Sequence, residues 1–194
     1  HDLRTPLTRL KLQLALMPQT GETADARRDL DEMEAMLDEY LDFARGDGSE
    51  ETQRIDLIGL TREVVEDARR HGGDIRFDTE GELDAELRPG AIRRALANLI
   101  GNATSFGEVV DVTVEPNGAR IEIRVEDDGP GIPEDQYDEA LKPFNRLDES
   151  RNQNRKGVGL GLALARDVAR GHGGDIKLGR SELGGLLAVI SLPQ

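Results

Sequence analysis

Val109-Val110-Asp111-Val112-Thr113-Val114-Glu115 and Ala119-Arg120-Ile121-Glu122-Ile123-Arg124-Val125-Glu126 alternate apolar and polar residues on either side of Pro116-Asn117-Gly118. A strand turns successive side chains to opposite faces, so each arm carries one apolar and one charged face, and Asn-Gly favours a tight turn. The pair reads as an antiparallel hairpin buried on one side. Working outward, Leu57 to Arg70 and Pro89 to Phe106 have helical patterning, the second with proline at its first turn. Asp74 to Thr79 and Ala85 to Arg88 read as short strands. Beyond the hairpin come a helix around Glu134 to Leu141, a polar stretch from Asn145 to Lys156, a helix from Leu160 to Gly171, and strands Asp175 to Leu178 and Gly185 to Leu192. Helices with a mostly antiparallel sheet predict a two-layer α/β sandwich.

The first residues follow another rule. Leu3, Leu7, Leu10, Leu14 and Met17 alternate spacings of four and three, the seam of a helix packed lengthwise on others. Pro18 and Gly21 break it, and Leu30, Met33, Leu37, Tyr40 and Ala44 repeat it. Residues 1–46 thus read as two antiparallel helices whose narrow seams make a poor core alone; a homodimeric four-helix bundle would bury both. Polar, glycine-containing residues 47–54 suit a linker, leaving 55–194 as a second domain. The expected class is α+β: a helical hairpin in a dimeric bundle, then the sandwich.

Composition narrows the function. In 194 residues, 37% hydrophobic content suffices for a core, but aromatics are only 3%, so Leu, Ile, Val and Ala must build it. The absence of cysteine removes disulfides and thiolate chemistry, and three scattered histidines argue against zinc. A net charge of −14 argues against partners that need a basic surface, so no nucleic acid and no membrane contact by this fragment are expected. The longest apolar stretch, Gly184 to Leu192, is too short to cross a bilayer. The chain as given is expected to be cytoplasmic. It opens on the histidine treated below as reactive, which suggests a piece of a longer protein.

Four segments carry chemistry. In His1-Asp2-Leu3-Arg4-Thr5-Pro6-Leu7, His1 lies about 200° around the helix from the Leu3 seam position, toward solvent, with Thr5 one turn further on its face. A neutral imidazole is a competent nucleophile, and the adjacent Asp2 carboxylate can fix its tautomer and take up its proton. Asn98 and Asn102, four apart, share a helix face. Asp127-Asp128-Gly129-Pro130-Gly131 follows a strand, and Gly129 and Gly131 would let the backbone approach a flat ligand closely, although a plain turn fits these residues too. Gly157-Val158-Gly159-Leu160-Gly161-Leu162 ends a polar loop and opens a helix, which places backbone amides near an anion. A Rossmann reading fails because no βαβ unit surrounds these glycines, and a Walker loop fails because Gly-Lys-Ser/Thr is missing. His71 and His172 each precede two glycines at a helix end and read as C-terminal caps.

In this order the segments resemble the catalytic core of a two-component sensor histidine kinase of the osmosensor type, over essentially the whole chain. The resemblance implies a phosphotransfer hairpin followed by a Bergerat-type ATP-binding domain. It implies His1 as phosphoacceptor, Asp2 supporting autophosphorylation, and Thr5 placing the water that dephosphorylates a partner regulator. Asn102 would ligate Mg²⁺ with Asn98 in support, an oxygen ligand suited to that ion. Asp127 would accept from the adenine amino group of ATP beside Gly129 and Gly131, and Gly157, Gly159, Leu160 and Gly161 would meet phosphate. Pro143-Phe144-Asn145-Arg146 resembles the F box, with Arg146 and Lys156 near the phosphates. Two positions depart from the pattern: Ser105 stands where Lys or Arg is usual, and Leu141 where Phe is. The implied partners are a response-regulator receiver domain and a second copy of the chain, the full-length protein being anchored in the bacterial inner membrane. Two rivals are an ATPase that only cycles between conformations, with no use for His1, and a degenerate, nonenzymatic scaffold.

Overall fold

The computed structural model describes residues 4–18, 21, 23–27, 30, 31, 33, 50–143, 145 and 159–194. It divides into two units, His1–Gly46 and Asp47–Gln194. In the first, α1 (Arg4–Ala15) is followed by helical residues 23–27. Arg27 donates to the Leu14 carbonyl at 2.7 Å and Lys11 pairs with Asp31 at 2.7 Å, while Leu30 is buried. Of the expected seam, Leu7 and Leu14 are half-covered, but Leu10 and Met17 are exposed. His1, Asp2 and Leu3, and the expected second helix beyond Met33, lie outside the described residues.

The second unit runs β1 (Gln53–Asp56), α2 (Leu57–Arg70), β2 (Asp74–Arg76), β3 (Asp84–Leu87), α3 (Pro89–Phe106), β4 (Val109–Asn117), β5 (Arg120–Asp127), a 3-10 turn (Glu134–Gln136), α4 (Tyr137–Ala140), α5 (Gly161–Gly171), β6 (Asp175–Arg180) and β7 (Leu186–Pro193). Five strands form one sheet in the order β2-β4-β5-β7-β6, antiparallel except for the β2–β4 pair. β1 and β3 form a separate antiparallel pair. The alternation expected for the hairpin is realised: Val110, Val112, Val114, Ile121, Ile123 and Val125 are buried, and their neighbours face outward. Against the sheet pack α2 and α3, and α5 over β6 and β7; they bury Val64, Val65, Ile92, Leu96, Leu99, Leu164 and Val168. At about 1.5–3 kcal/mol per fully buried aliphatic side chain, this layer holds the unit together.

Ends are set by identifiable residues. Asp56 caps α2, its Oδ1 accepting from Ile58 and from Leu83, both at 3.1 Å. At its other end Arg69 donates twice to the Ile75 carbonyl. His71 and His172 are the C-caps of α2 and α5, as expected.

The structure corrects several boundaries. Gln53 and Arg54, expected in the linker, already belong to β1, whose polar sequence hides a strand held by Arg54–Asp84 at 2.7 Å. β2 stops at Arg76, and Thr79 Oγ1 accepts the Val114 N–H instead. The helix expected at Glu134 to Leu141 is a 3-10 turn followed by a single α turn. In the hairpin the two linking residues are Gly118 and Ala119, one later than Asn-Gly, with Gly118 at φ 64°.

Candidate nucleotide site

The period of β5 continues one step past its apolar residues, so Asp127 follows Ile121, Ile123 and Val125 onto the buried face and is 3% exposed. A carboxylate there must be paired or costs several kcal/mol. Its Oδ1 accepts from Gly129 at 2.9 Å and from Leu186 at 3.2 Å, whereas Oδ2 has no hydrogen-bond partner among the described residues. Burial raises its pKa above the ordinary 3.8 and the neighbouring Asp128 adds to this, against the lowering effect of the two N–H groups.

Glycines make this approach possible. A Cβ on Gly185 would lie 2.1 Å from Asp127 Oδ1, and one on Gly129 would lie 2.7 Å from the Phe106 carbonyl oxygen. Gly131 sits at φ 68°, with the Gly185 carbonyl 3.1 Å from where its Cβ would be. A bare, buried carboxylate oxygen beside backbone that carries no side chains is a fitting receptor for a planar amino-bearing ring. Asp128 does the opposite work. Its Oδ1 accepts from Val109 and Glu108, at 3.0 and 2.7 Å, which lowers its pKa and ties the end of β5 to the α3–β4 junction.

α3 brings Asn98 and Asn102 to one face, both partly buried, with no side-chain hydrogen bond among the described residues. Free carboxamide oxygens suit a hard cation that keeps most of its waters. Gly161 abuts Asn98, whose Cβ would be 3.7 Å from a Cβ built on the glycine, so the start of α5 lies against the asparagine helix. Leu160, the N-cap, is buried and offers no side-chain cap, while Gly159 turns the chain at φ 75°. The structure therefore brings Asn98 next to Gly161, and Asp127 next to Gly129, with Gly131 against Gly185. Ser105 hydrogen-bonds to Gly101 within its own helix at 2.7 Å, and Leu141 is buried. His1, Asp2, Arg146, Lys156 and Gly157 lie outside the described residues; the backbone of Thr5 is within α1.

Sequence reading missed Gly185 and Leu186 as part of the site. The only signal was the Gly184-Gly185 pair before the last strand, because a backbone N–H leaves no mark in a side-chain pattern.

Residues 87–194 match the model of the family described as histidine kinase-, DNA gyrase B-, and HSP90-like ATPase. The whole chain is 34% identical to 40% of the sensor histidine kinase GtrS of Pseudomonas aeruginosa. It spans about half the length, or less, of the curated relatives it matches. Among solved structures, the ATP-binding domain of PrrB from Mycobacterium tuberculosis superposes with a TM-score of 0.62 at 28% identity, over 74% of this chain and 97% of that one. Full-length ShkA in complex with AMPPNP superposes with a TM-score of 0.74 at 27% identity, over 100% of this chain and 44% of that one.

Proposed function

The chain belongs to the histidine kinase-, DNA gyrase B- and HSP90-like ATPases, and among them to the two-component sensor histidine kinases. On that premise we propose that it uses ATP to phosphorylate His1 and passes the phosphoryl group to an aspartate of a response-regulator receiver domain. The carrying observation is Asp127: a buried carboxylate with one oxygen saturated by backbone and the other bare, among glycines. A carboxylate there accepts from the amino group of adenine and opposes the carbonyl of guanine.

Residues 55–194 form the ATP-binding domain in this reading and residues 1–46 the phosphotransfer hairpin, paired with a second copy in a four-helix bundle. Asn102 would hold Mg²⁺, which supplies charge neutralisation at the phosphates, and Asn98 supports it. Gly157, Gly159, Leu160 and Gly161 present backbone N–H groups to phosphate, joined by Arg146 and Lys156. The γ-phosphorus–oxygen bond breaks as a nitrogen–phosphorus bond forms on His1, ADP leaves, and Asp2 takes up the ring proton. The chain contributes mainly positioning and charge. Thr5 would place water for the reverse task, hydrolysis of the regulator's phosphoaspartate. The full-length protein would be anchored in the bacterial inner membrane; no helix among the described residues is long and apolar enough to cross a membrane.

Incubation with Mg²⁺ and γ-labelled ATP tests the reading. The expected product is acid-labile and base-stable, and is lost in His1→Gln while ATP binding survives. Hydrolysis of ATP with no label on the protein would favour the conformational ATPase and overturn the kinase reading. Absence of ATP binding would favour the scaffold.

A further inference from the structure

We infer that the turn between β6 and β7 aims the adenine-reading carboxylate, with Ser181 and Glu126 as positioning residues. The inference rests on Asp127 reading adenine. Ser181 is a buried hydroxyl, 4% exposed, that lies outside every motif discussed above. Its Oγ donates to Glu126 Oε2 at 3.1 Å and accepts from Leu183 N–H at 2.9 Å, and Glu182 N–H donates to the same Glu126 oxygen at 3.2 Å. The other Glu126 oxygen is held by Arg124 at 3.2 Å. Within the turn, Ser181 N–H donates to the Gly185 carbonyl at 3.0 Å, and Gly185 N–H donates to the Asp127 carbonyl at 3.0 Å. The next residue, Leu186, gives its N–H to Asp127 Oδ1.

A continuous set of hydrogen bonds therefore runs from Glu126 through Ser181 to the carboxyl of the adjacent Asp127. Among the described residues two donors fix that carboxyl group, and they come from different segments: Gly129 just past the end of β5, and Leu186 at the first position of β7, directly after the turn. Two donors on one oxygen set the torsion of the group and hence the direction of the bare Oδ2. With the turn loosened a single donor remains, and the carboxyl group can swing. Gly185 is what lets the turn come this close, since any side chain there would collide with Oδ1.

Calorimetric titration of the whole chain with ATP and with inosine triphosphate, which lacks the amino group, tests this. In Ser181→Ala the ATP Kd is expected to rise about three- to tenfold, the scale of losing one hydrogen bond, while the inosine triphosphate Kd stays unchanged or falls, because the 6-carbonyl of inosine is opposed by the carboxylate. Ser181→Thr should restore discrimination. Glu126→Gln, which keeps the shape, should act in the same direction and decides the matter if Ser181→Ala fails to fold. Equal weakening of both nucleotides, or no change, would overturn the inference. Asp127→Asn separates it from its premise. If that variant leaves discrimination intact, adenine is not read there; if it abolishes discrimination while the turn variants do not, the turn alone is exonerated.

Discussion

Glu50 and Gly90 meet where α3 begins: Oε1 of the glutamate accepts the Gly90 N–H at 2.7 Å, and Oε2 takes the next one, from Ala91, at 3.0 Å. The N-cap Arg88 makes no side-chain cap bond, so a carboxylate from 40 residues upstream serves as the cap. Gly90 leaves room for it, because a Cβ would lie 2.9 Å from Oε1. An anion at a helix N-terminus satisfies two otherwise orphan donors and opposes the helix dipole.

Glu50→Ala should therefore destabilise the second unit by about 1–2 kcal/mol, the upper range for a lost cap. Glu50→Gln should cost less, since the amide keeps one acceptor. Urea denaturation with an unchanged slope checks both.

Asp127→Asn should separate binding from stability. The fold raises the pKa of Asp127, so the folded chain holds that proton more tightly than the unfolded one. Its contribution to stability is present below the ordinary carboxylate pKa and is lost as pH rises through the folded value. An asparagine keeps an acceptor for Gly129 and Leu186 without the buried charge. The ligand-free variant should melt at the wild-type temperature or above at neutral pH, while ATP affinity falls about 10- to 150-fold, the scale of a bond to a charged group. Calorimetry and thermal melts of the same sample measure the two together.

His172 should make stability pH-dependent. Its Nε2 accepts the Arg88 backbone N–H at 3.1 Å, so the proton sits on Nδ1, which donates to the Val168 carbonyl at 2.8 Å. Burial lowers its pKa, as does the Arg88 charge, against the raising influence of the Val168 carbonyl and of Glu50. A depressed folded pKa gives a contribution that is complete above the ordinary 6.5 and is lost as pH falls through the folded value. His172→Gln can supply both an acceptor and a donor without titrating. Its melting temperature should decline less than wild type as pH is lowered from 7 toward 5; parallel curves would place the acid sensitivity elsewhere.

Thr5 bears on the two activities proposed above. A residue one helical turn from the nucleophile can orient water without meeting the incoming phosphoryl group. Thr5→Ala should leave autophosphorylation within a few-fold and slow dephosphorylation of the regulator by on the order of tenfold. Equal losses in both would reduce Thr5 to a helix residue.

What could be read in advance was whatever side chains announce. The alternation of β4 and β5 and the apolar faces of α2, α3 and α5 come from periodicities of two and 3.6, and their burial in the structure follows them. Backbone left no such trace. β1 is polar apart from Ile55, and among the described residues it pairs with β3 alone, outside the main sheet. Asp128 reads as a turn residue, yet its use is to hold Glu108 and Val109, about 20 positions earlier. Glu50 reads as one more acid in a linker; nothing local shows that it ends on a helix far downstream. Leu186 enters the site through its N–H alone.

The glycine lining around Asp127 also limits how such a site can be altered. Gly107, Gly129 and Gly185 each place bare backbone where a side chain would overlap the carboxylate or its neighbours, so substitution there can only take room away. None can be exchanged for a residue that adds a new donor or acceptor. The choice of base is thus adjusted at Asp127 itself and through the turn that aims it, not at the glycines. An engineer seeking a different nucleobase would begin by replacing that carboxylate and would leave its walls untouched.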